Sequence, residues 1–87
     1  MTTKAPSPVR PGADKSLEKI AYASVAGIPM ADPHDRDRLG YNIWLWLTHR
    51  RDSLDVVMHT TAAKLQIPEE EALARIRAEL ESRGITI

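Results

Sequence analysis

Four carboxylate or imidazole side chains crowd one short stretch of this chain, and two more histidines follow: Asp32, His34, Asp35, Asp37, His49 and His59. Carboxylates and imidazoles are common metal ligands, but each metal requires its own ligand spacing. A helical zinc site needs two histidines one turn apart, and no such pair is present. A calcium loop needs a glycine at its sixth position and a closing glutamate, and this stretch has neither. We therefore expect no metal site, and we interpret the aspartates as turn and helix-capping residues.

Groups suited to covalent or phosphate chemistry are equally sparse. The chain has no cysteine, and Ser53 lies near His49 without forming a recognisable catalytic triad. Its four glycines are isolated from one another, so the sequence contains no glycine-rich loop that could bind phosphate. A small domain also has little room for a deep substrate cavity. We therefore expect a protein that is not an enzyme and that needs no cofactor.

Composition is typical of a small globular protein. The chain has 87 residues, 43% of them hydrophobic, and 12 lysines and arginines balance 12 aspartates and glutamates. This length holds one hydrophobic core, and the balanced charge selects no strongly charged partner. The longest apolar run, residues 43–47, is far too short to cross a bilayer, and no apolar stretch follows Lys4 and Arg10 as a secretion signal would require. We expect an intracellular, cytoplasmic protein without membrane attachment.

The chain begins with a proline-rich stretch, residues 1–13. Proline removes backbone hydrogen-bond donors and favours extended conformations, so we predict a disordered tail here. Residues 14–87 then form a single helical domain. Asp14 or Ser16 can cap a first helix that runs to about residue 26, and Gly27 lies where a helix commonly ends in a left-handed residue.

The second segment has two interpretations. Residues 41–47 alternate as a buried strand would, whereas apolar residues recur every four positions from Leu39 to Leu47 as in a helix. Two arginines follow, and cations stabilise the negative end of a helix dipole. The sequence favours a helix, capped by Asp32 or Asp35, and leaves the strand open.

Two further helices are predicted in the last third of the chain. Ser53 or Asp55 can cap the third, whose apolar stripe comprises Leu54, Met58, Ala62 and Leu65. Pro68 and three glutamates suit the start of the fourth, and Gly84 suits its end. The fourth helix should bury Leu73, Ile76 and Leu80. Its outer face carries three acid–base pairs at a spacing of four residues, Glu71–Arg75, Arg77–Glu81 and Glu79–Arg83. The last three residues, 85–87, have the composition of a short strand.

Both tryptophans, Trp44 and Trp46, lie in the second segment. Helix positions two apart point about 160° away from each other, so one face cannot bury both rings. We expect one tryptophan to fill the core and the other to contact a partner, since exposed aromatic residues often mark interfaces. The candidates for a protein interface are therefore Trp44, Trp46 and Tyr41, with Glu70 and Glu71 of the acidic fourth helix.

The last third also carries Ala62-x-x-Leu65-Gln66-Ile67-Pro68, then Leu73-x-x-Ile76-x-x-x-Leu80-x-x-x-Gly84-Ile85. This pattern resembles the helix-turn-helix core of winged-helix regulators of the MarR type. In that family a short helix with an Ala-x-x-Leu-Gly-Ile turn precedes a recognition helix that ends in Leu-x-x-x-Gly-Ile. The resemblance covers residues 54–85, with Gln66 where the family usually has glycine. It implies a helix-turn-helix pair and a dimeric DNA-binding protein.

The charges of the fourth helix disfavour DNA as its partner. A recognition helix brings cations and amides to bases and phosphates, whereas Glu69, Glu70 and Glu71 lead this one. Candidate nucleic-acid contacts are instead spread along the chain: Arg36, Arg38, Arg50, Arg51, Lys64 and Arg75. A contiguous patch of the first five would favour nucleic acid, and their dispersal would favour a protein partner.

Two functions remain open at this point. The sequence favours a small regulatory or adaptor protein that binds a protein partner or a second copy of itself. The alternative is a dimeric DNA-binding transcriptional regulator of the winged-helix kind. The expected fold is the same for both, an all-α bundle of about four helices whose last two form a helix-turn-helix-like pair.

Overall fold

The computed structural model describes the backbone of residues 11–87 and the side chains of residues 16–87. Four helices follow in chain order, α1 (Pro11–Val25), α2 (Pro33–His49), α3 (Leu54–Lys64) and α4 (Glu69–Ser82). Helix α1 packs against α2 and α4, and α3 packs against the same two helices. The four helices therefore surround one core. The small all-α bundle predicted from the sequence is confirmed, and residues 11–87 contain no strand.

Helix α1 begins at Pro11, earlier than the Asp14 or Ser16 start predicted from the sequence. Proline suits the first position of a helix because its fixed φ is helical and its missing N–H would have no partner there. The predicted tail therefore overlaps the helix at residues 11–13. The rest of that tail, residues 1–10, lies outside the described residues.

Helix α2 settles the ambiguous segment, and the strand interpretation of residues 41–47 is wrong. Asp32 is the N-cap, and its carboxylate accepts a hydrogen bond from the backbone N–H of His34 at 2.9 Å. The four-residue spacing places Leu39, Ile43 and Leu47 on one buried face. A helix buries all three of these side chains against α1 and the core. The packing and the Asp32 cap therefore both favour a helix over a strand.

The core takes fully buried side chains from all four helices, among them Ala21, Val25, Leu39, Ile43, Leu54, Met58, Ala72, Ile76 and Leu80. The predicted stripe of α3 is displaced: Thr61 is buried, whereas Ala62 and Leu65 are only half-buried. At about 100° per residue, position 61 points about 20° from Leu54, and position 62 points about 80° away. The stripe thus includes Thr61 in place of Ala62, which brings a hydroxyl to the α2–α3 contact.

Two of the described residues have a positive φ, Arg50 at 54° and Gly84 at 82°. Gly84 ends α4 as predicted, and the N–H of Ile85 donates to the carbonyl of Leu80 at 3.0 Å in the Schellman arrangement. Gly27, predicted to be left-handed, is not. Instead the left-handed residue at the end of α2 is Arg50, whose N–H donates to the carbonyl of Trp46 at 2.7 Å.

The strand predicted for residues 85–87 is wrong. Ile85 and Ile87 are half-buried against the core without forming regular structure. No other extended segment lies alongside to share a ladder of hydrogen bonds, since the rest of the described chain is helices and short connections. The carbonyl of Thr86 instead accepts a hydrogen bond from the guanidinium of Arg50 at 2.8 Å.

Candidate protein-binding groove

The side of α2 that faces α1 is closed. A Cβ atom added to Gly40 would lie 2.5 Å from Cδ1 of Tyr22, so the tyrosine ring rests directly on the bare backbone of α2. Burial raises the pKa of Tyr22 above the ordinary value of 10.0, and the nearby Glu18, Asp37 and Tyr41 raise it further. This side of α2 therefore offers no room for a ligand.

The side of α2 that faces α3 is open. Two adjoining depressions, of about 440 and 260 Å³, run between the two helices and share Asn42, Thr60 and Thr61. We call them together the α2–α3 groove. It is bordered on α2 by Asp37, Tyr41, Asn42 and Leu45, and on α3 by Val56, Thr60, Thr61 and Lys64. The groove is long and shallow, which suits an extended or helical protein segment.

Exposed apolar surface is concentrated at this groove. Two large hydrophobic side chains are exposed in the described part of the chain, Tyr41 at 49% and Val56 at 50%. Tyr41 borders the larger depression and Val56 the smaller one, with the half-buried Leu45 lining the smaller depression as well. Apolar side chains that converge on one groove are typical of a protein-binding surface.

A weakly bonded polar pair lies where the two depressions meet. The side-chain amide of Asn42 donates to Oγ1 of Thr61 at 3.5 Å, which is long for a hydrogen bond. An asparagine side chain offers two N–H donors and a carbonyl that can accept twice, so most of this capacity is available to an incoming group. The middle of the groove can therefore fix the register of whatever binds there.

Charges of both signs lie at the two ends of the groove. The larger depression is lined by Asp37 and Lys64, and the smaller one by Arg51 and Asp52. Arg38 also lines the larger depression, but its guanidinium pairs with the buried Asp35 at 3.2 Å, and that charge is neutralised within the chain. The groove thus presents a balanced set of charges rather than a cationic or anionic surface.

The three aromatic candidates have different positions. Tyr41 lies in the groove, and its ring centroid is 5.7 Å from that of the half-buried Trp44. Trp46 is 5% exposed and fills the core, and its indole N–H donates to the carbonyl of Asp52 at 2.7 Å. The guanidinium of Arg50 lies 4.5 Å from the centre of the Trp46 ring, in a cation–π contact. Trp46 is thus a structural residue at the end of α2, and Tyr41 is the aromatic residue available to a partner.

The acidic candidates do not lie in the groove. Glu70 is exposed on the outer face of α4, and Glu71 pairs with Arg75 at 3.2 Å. The predicted pair of Glu79 with Arg83 also forms, at 2.8 Å. The predicted Arg77–Glu81 pair does not form, because Arg77 reaches across to α3 instead: its guanidinium bonds to Asp55 at 2.6 Å.

The cationic candidates are dispersed, and four of the six are engaged within the chain. Arg36 donates to the carbonyl of Ile28 at 2.9 Å, Arg50 contacts Trp46 and Thr86, Arg38 pairs with Asp35, and Arg75 pairs with Glu71. The other two, Arg51 and Lys64, line different depressions of the groove and form no ion pair with another described residue. The structure therefore does not gather these cations into one patch.

Several groove residues escaped the sequence analysis, namely Asn42, Leu45, Val56, Thr60 and Thr61. One signal for them was present: Val56 is a large apolar residue that falls outside the buried stripe of α3. The other four do not stand out in the sequence, because their importance depends on how closely α2 and α3 pack.

Other kinds of site find no support in the described part of the chain. No group of three or more metal-ligating side chains there could hold a metal ion. No helix within residues 11–87 is both long and apolar enough to cross a membrane. Comparison with protein-family models, with curated proteins and with solved structures gives no match to this chain.

Proposed function

We propose that this chain is a small protein-interaction module, an adaptor or regulator without catalytic activity, and that it binds its partner in the α2–α3 groove. The observation that carries the proposal is the convergence of Tyr41 and Val56, the large hydrophobic side chains exposed in residues 16–87, on one groove. Exposed apolar surface of this kind favours burial by a partner. The groove's polar centre and its charged ends would supply specificity.

The distribution of cations favours a protein partner over DNA. Binding to DNA draws its affinity from cations that neutralise phosphates, and each contact needs a charge that is free to make it. On α4, the helix that would read DNA in a winged-helix regulator, Arg75 and Arg77 are already paired with Glu71 and Asp55. The first turn of the same helix carries three glutamates.

A peptide-display selection against the purified full chain tests the proposal. The selected peptides should bind the variant Thr60→Arg at least about tenfold more weakly than they bind the unaltered chain. The substitution fills the middle of the groove with a long charged side chain, and the desolvated centre of an interface carries most of its binding energy. The matched control is Ala78→Arg, which places the same side chain on the exposed outer face of α4. Peptides that bind Thr60→Arg as well as they bind the unaltered chain would contradict the proposal.

The DNA-binding alternative is tested by the fluorescence anisotropy of a labelled mixed-sequence duplex. We expect no binding at low salt up to about 100 μM protein, a condition under which even a non-specific DNA-binding protein binds. Binding that weakens steeply as salt rises would instead support the winged-helix regulator. In that case Arg51→Ala and Lys64→Ala should each reduce the salt dependence.

A further inference from the structure

We propose that the partner in the α2–α3 groove is a second copy of this chain, docked about a two-fold axis that passes through the Asn42–Thr61 contact. The inference rests on the proposed function, since it takes the groove as the binding face and names its occupant. It goes further by assigning a symmetry, a register and a pairing of charges.

The proposed axis crosses the groove at right angles to its length. A two-fold interface uses the same patch on both copies, and with this axis residues at one end of the patch meet residues at the other end. The two depressions of the groove meet at Asn42, Thr60 and Thr61. An axis through this junction places Tyr41, which protrudes from the larger depression, against the smaller depression that Val56 lines in the second copy. Each copy thus supplies both a protruding ring and a recess.

The charges at the two ends of the groove are complementary under this symmetry. Asp37 and Lys64 lie at one end, and Arg51 and Asp52 lie at the other. The two-fold axis brings each end against the opposite end of the second copy, and the proposed register pairs Asp37 with Arg51 and Lys64 with Asp52. These four charges sum to zero, as do the charges of the whole chain, and like-charge repulsion does not oppose association. A strongly charged partner would fit these balanced rims less well.

The centre of the groove suits a pair of identical amides. Asn42 of each copy would lie near the axis, and an amide can donate to the carbonyl of its counterpart while accepting from it. A buried asparagine pair of this kind lowers affinity relative to an apolar pair but fixes register and the number of chains. The weak intrachain hydrogen bond of Asn42 to Thr61, at 3.5 Å, leaves the amide available for this role.

The size of the groove predicts a weak dimer. Helix α2 has 17 residues, which corresponds to a length of about 26 Å. Two packed helices are about 20 Å wide, so the face covers roughly 500 Å² on each copy, or about 1,000 Å² in total. That area is at the lower limit for a specific interface. Interfaces of this size are typical of weak, transient complexes, and we therefore expect a reversible dimer with a dissociation constant in roughly the micromolar range.

Sedimentation equilibrium of the full chain, from about 5 to 500 μM, tests the dimer directly. The unaltered chain should pass from monomer to dimer across this range. Tyr41→Asp should raise the dissociation constant at least about tenfold, since it places a charge in the apolar contact. Ala78→Arg, on the outer face of α4, should leave it unchanged. Circular dichroism of each variant confirms that the helices are retained.

A charge exchange tests the register. Asp37→Arg alone should raise the dissociation constant by about threefold, because one rim then becomes cationic. The double variant Asp37→Arg/Arg51→Asp restores opposite charges between the two ends and should regain at least the original affinity. Failure of the double variant to recover would overturn the proposed two-fold arrangement.

The outcomes separate this inference from the proposed function. The chain could stay monomeric at every concentration and yet bind selected peptides, with that binding abolished by Thr60→Arg. This result would overturn the dimer and leave the groove as the binding face. A dimer that survives Tyr41→Asp and Thr60→Arg but is lost in Ala78→Arg would show association through α4 and overturn the inference. If the chain is monomeric and no selected peptide depends on the groove for binding, both the dimer and the proposed function are overturned.

Discussion

The two sides of helix α2 show how neighbouring residues can have opposite roles. Towards α1, Leu39, Gly40 and Ile43 are buried, and the ring of Tyr22 closes directly on the glycine backbone. Towards α3, Tyr41 and Asn42 border an open groove. A residue without a side chain lets two helices approach closely, whereas the polar side chains between α2 and α3 leave space and hydrogen-bonding capacity unused. One side of the helix builds the fold, and the other is available to a partner.

Alanine substitutions at two positions only two residues apart, Ile43 and Leu45, should differ most in their effect on stability. Ile43→Ala should lower the free energy of unfolding by about 3–4 kcal/mol, because it removes a fully buried side chain and leaves a cavity. Leu45→Ala, on the half-buried groove side, should lower it by less than about 1.5 kcal/mol. Urea denaturation of both variants checks this. Equal losses would show that the groove side is as much a part of the core as the α1 side.

The closed contact can be broken by adding a side chain to it. Gly40→Leu should lower the free energy of unfolding by about 2–3 kcal/mol, since its side chain would occupy the space of the Tyr22 ring. Tyr22→Ala should recover much of this loss in the double variant, because it empties that space. A double-mutant cycle in urea measures the coupling between the two positions. If the two effects simply add, the close approach of α1 and α2 does not limit the packing here.

The stability of the C-terminal end of α2 should depend on Arg50 and not on its neighbour Arg51. Arg50→Ala should cost about 1 kcal/mol, since it removes the cation–π contact with Trp46 and the hydrogen bond to the carbonyl of Thr86. Arg50→Gly should cost less, because glycine adopts the left-handed backbone without strain. Arg51→Ala should change stability by less than about 0.5 kcal/mol. Thermal melts of the three variants distinguish these cases, and an effect of Arg51→Ala as large as that of Arg50→Ala would be evidence against the assigned roles.

The smallest effect concerns the ionisation of Tyr22. Its pKa is raised in the folded state, chiefly by burial, so the protein holds this proton more tightly when folded. The resulting stability is fully present below the unfolded pKa and is lost as the pH rises through the folded pKa. Tyr22→Phe should therefore reduce the loss of stability above about pH 10. Urea midpoints of this variant and of the unaltered chain, at neutral and at alkaline pH, supply the measurement. Equal alkaline losses of stability in the two proteins would count against a raised pKa of Tyr22.

Local signals predicted most of the fold. Helix periodicity, the Asp32 cap and the Gly84 stop are encoded by residues close together in sequence, and they placed α2 and α4 well. The predictions failed where contacts are distant. Arg77 pairs with Asp55 across two helices, 22 positions away, and Arg50 reaches the carbonyl of Thr86, 36 positions away. The spacing of residues in the sequence carries no information about such long-range contacts.

The candidate site was only partly predictable for the same reason. The sequence shows that one helix face cannot bury both Trp44 and Trp46, which marks this segment as a candidate interface, but it does not single out Tyr41 beside them. The α3 half of the groove could not be identified, since Thr60 and Thr61 become notable only once α3 lies beside Asn42 at a particular distance. Similarly, Trp46 and Arg50 read as separate candidates for protein and nucleic-acid contacts, whereas they stack on each other and stabilise the end of α2.

The most direct test of the central claim is a concentration series of amide NMR spectra on the full chain. If the α3 side of α2 is the interface, chemical shifts should change with concentration at groove residues such as Tyr41, Asn42, Val56 and Thr60. The amides of Tyr22 and of the outer face of α4 should stay constant. Shifts that change at Glu70 and Glu81 while the groove stays constant, or a spectrum that does not change at all, would contradict the account.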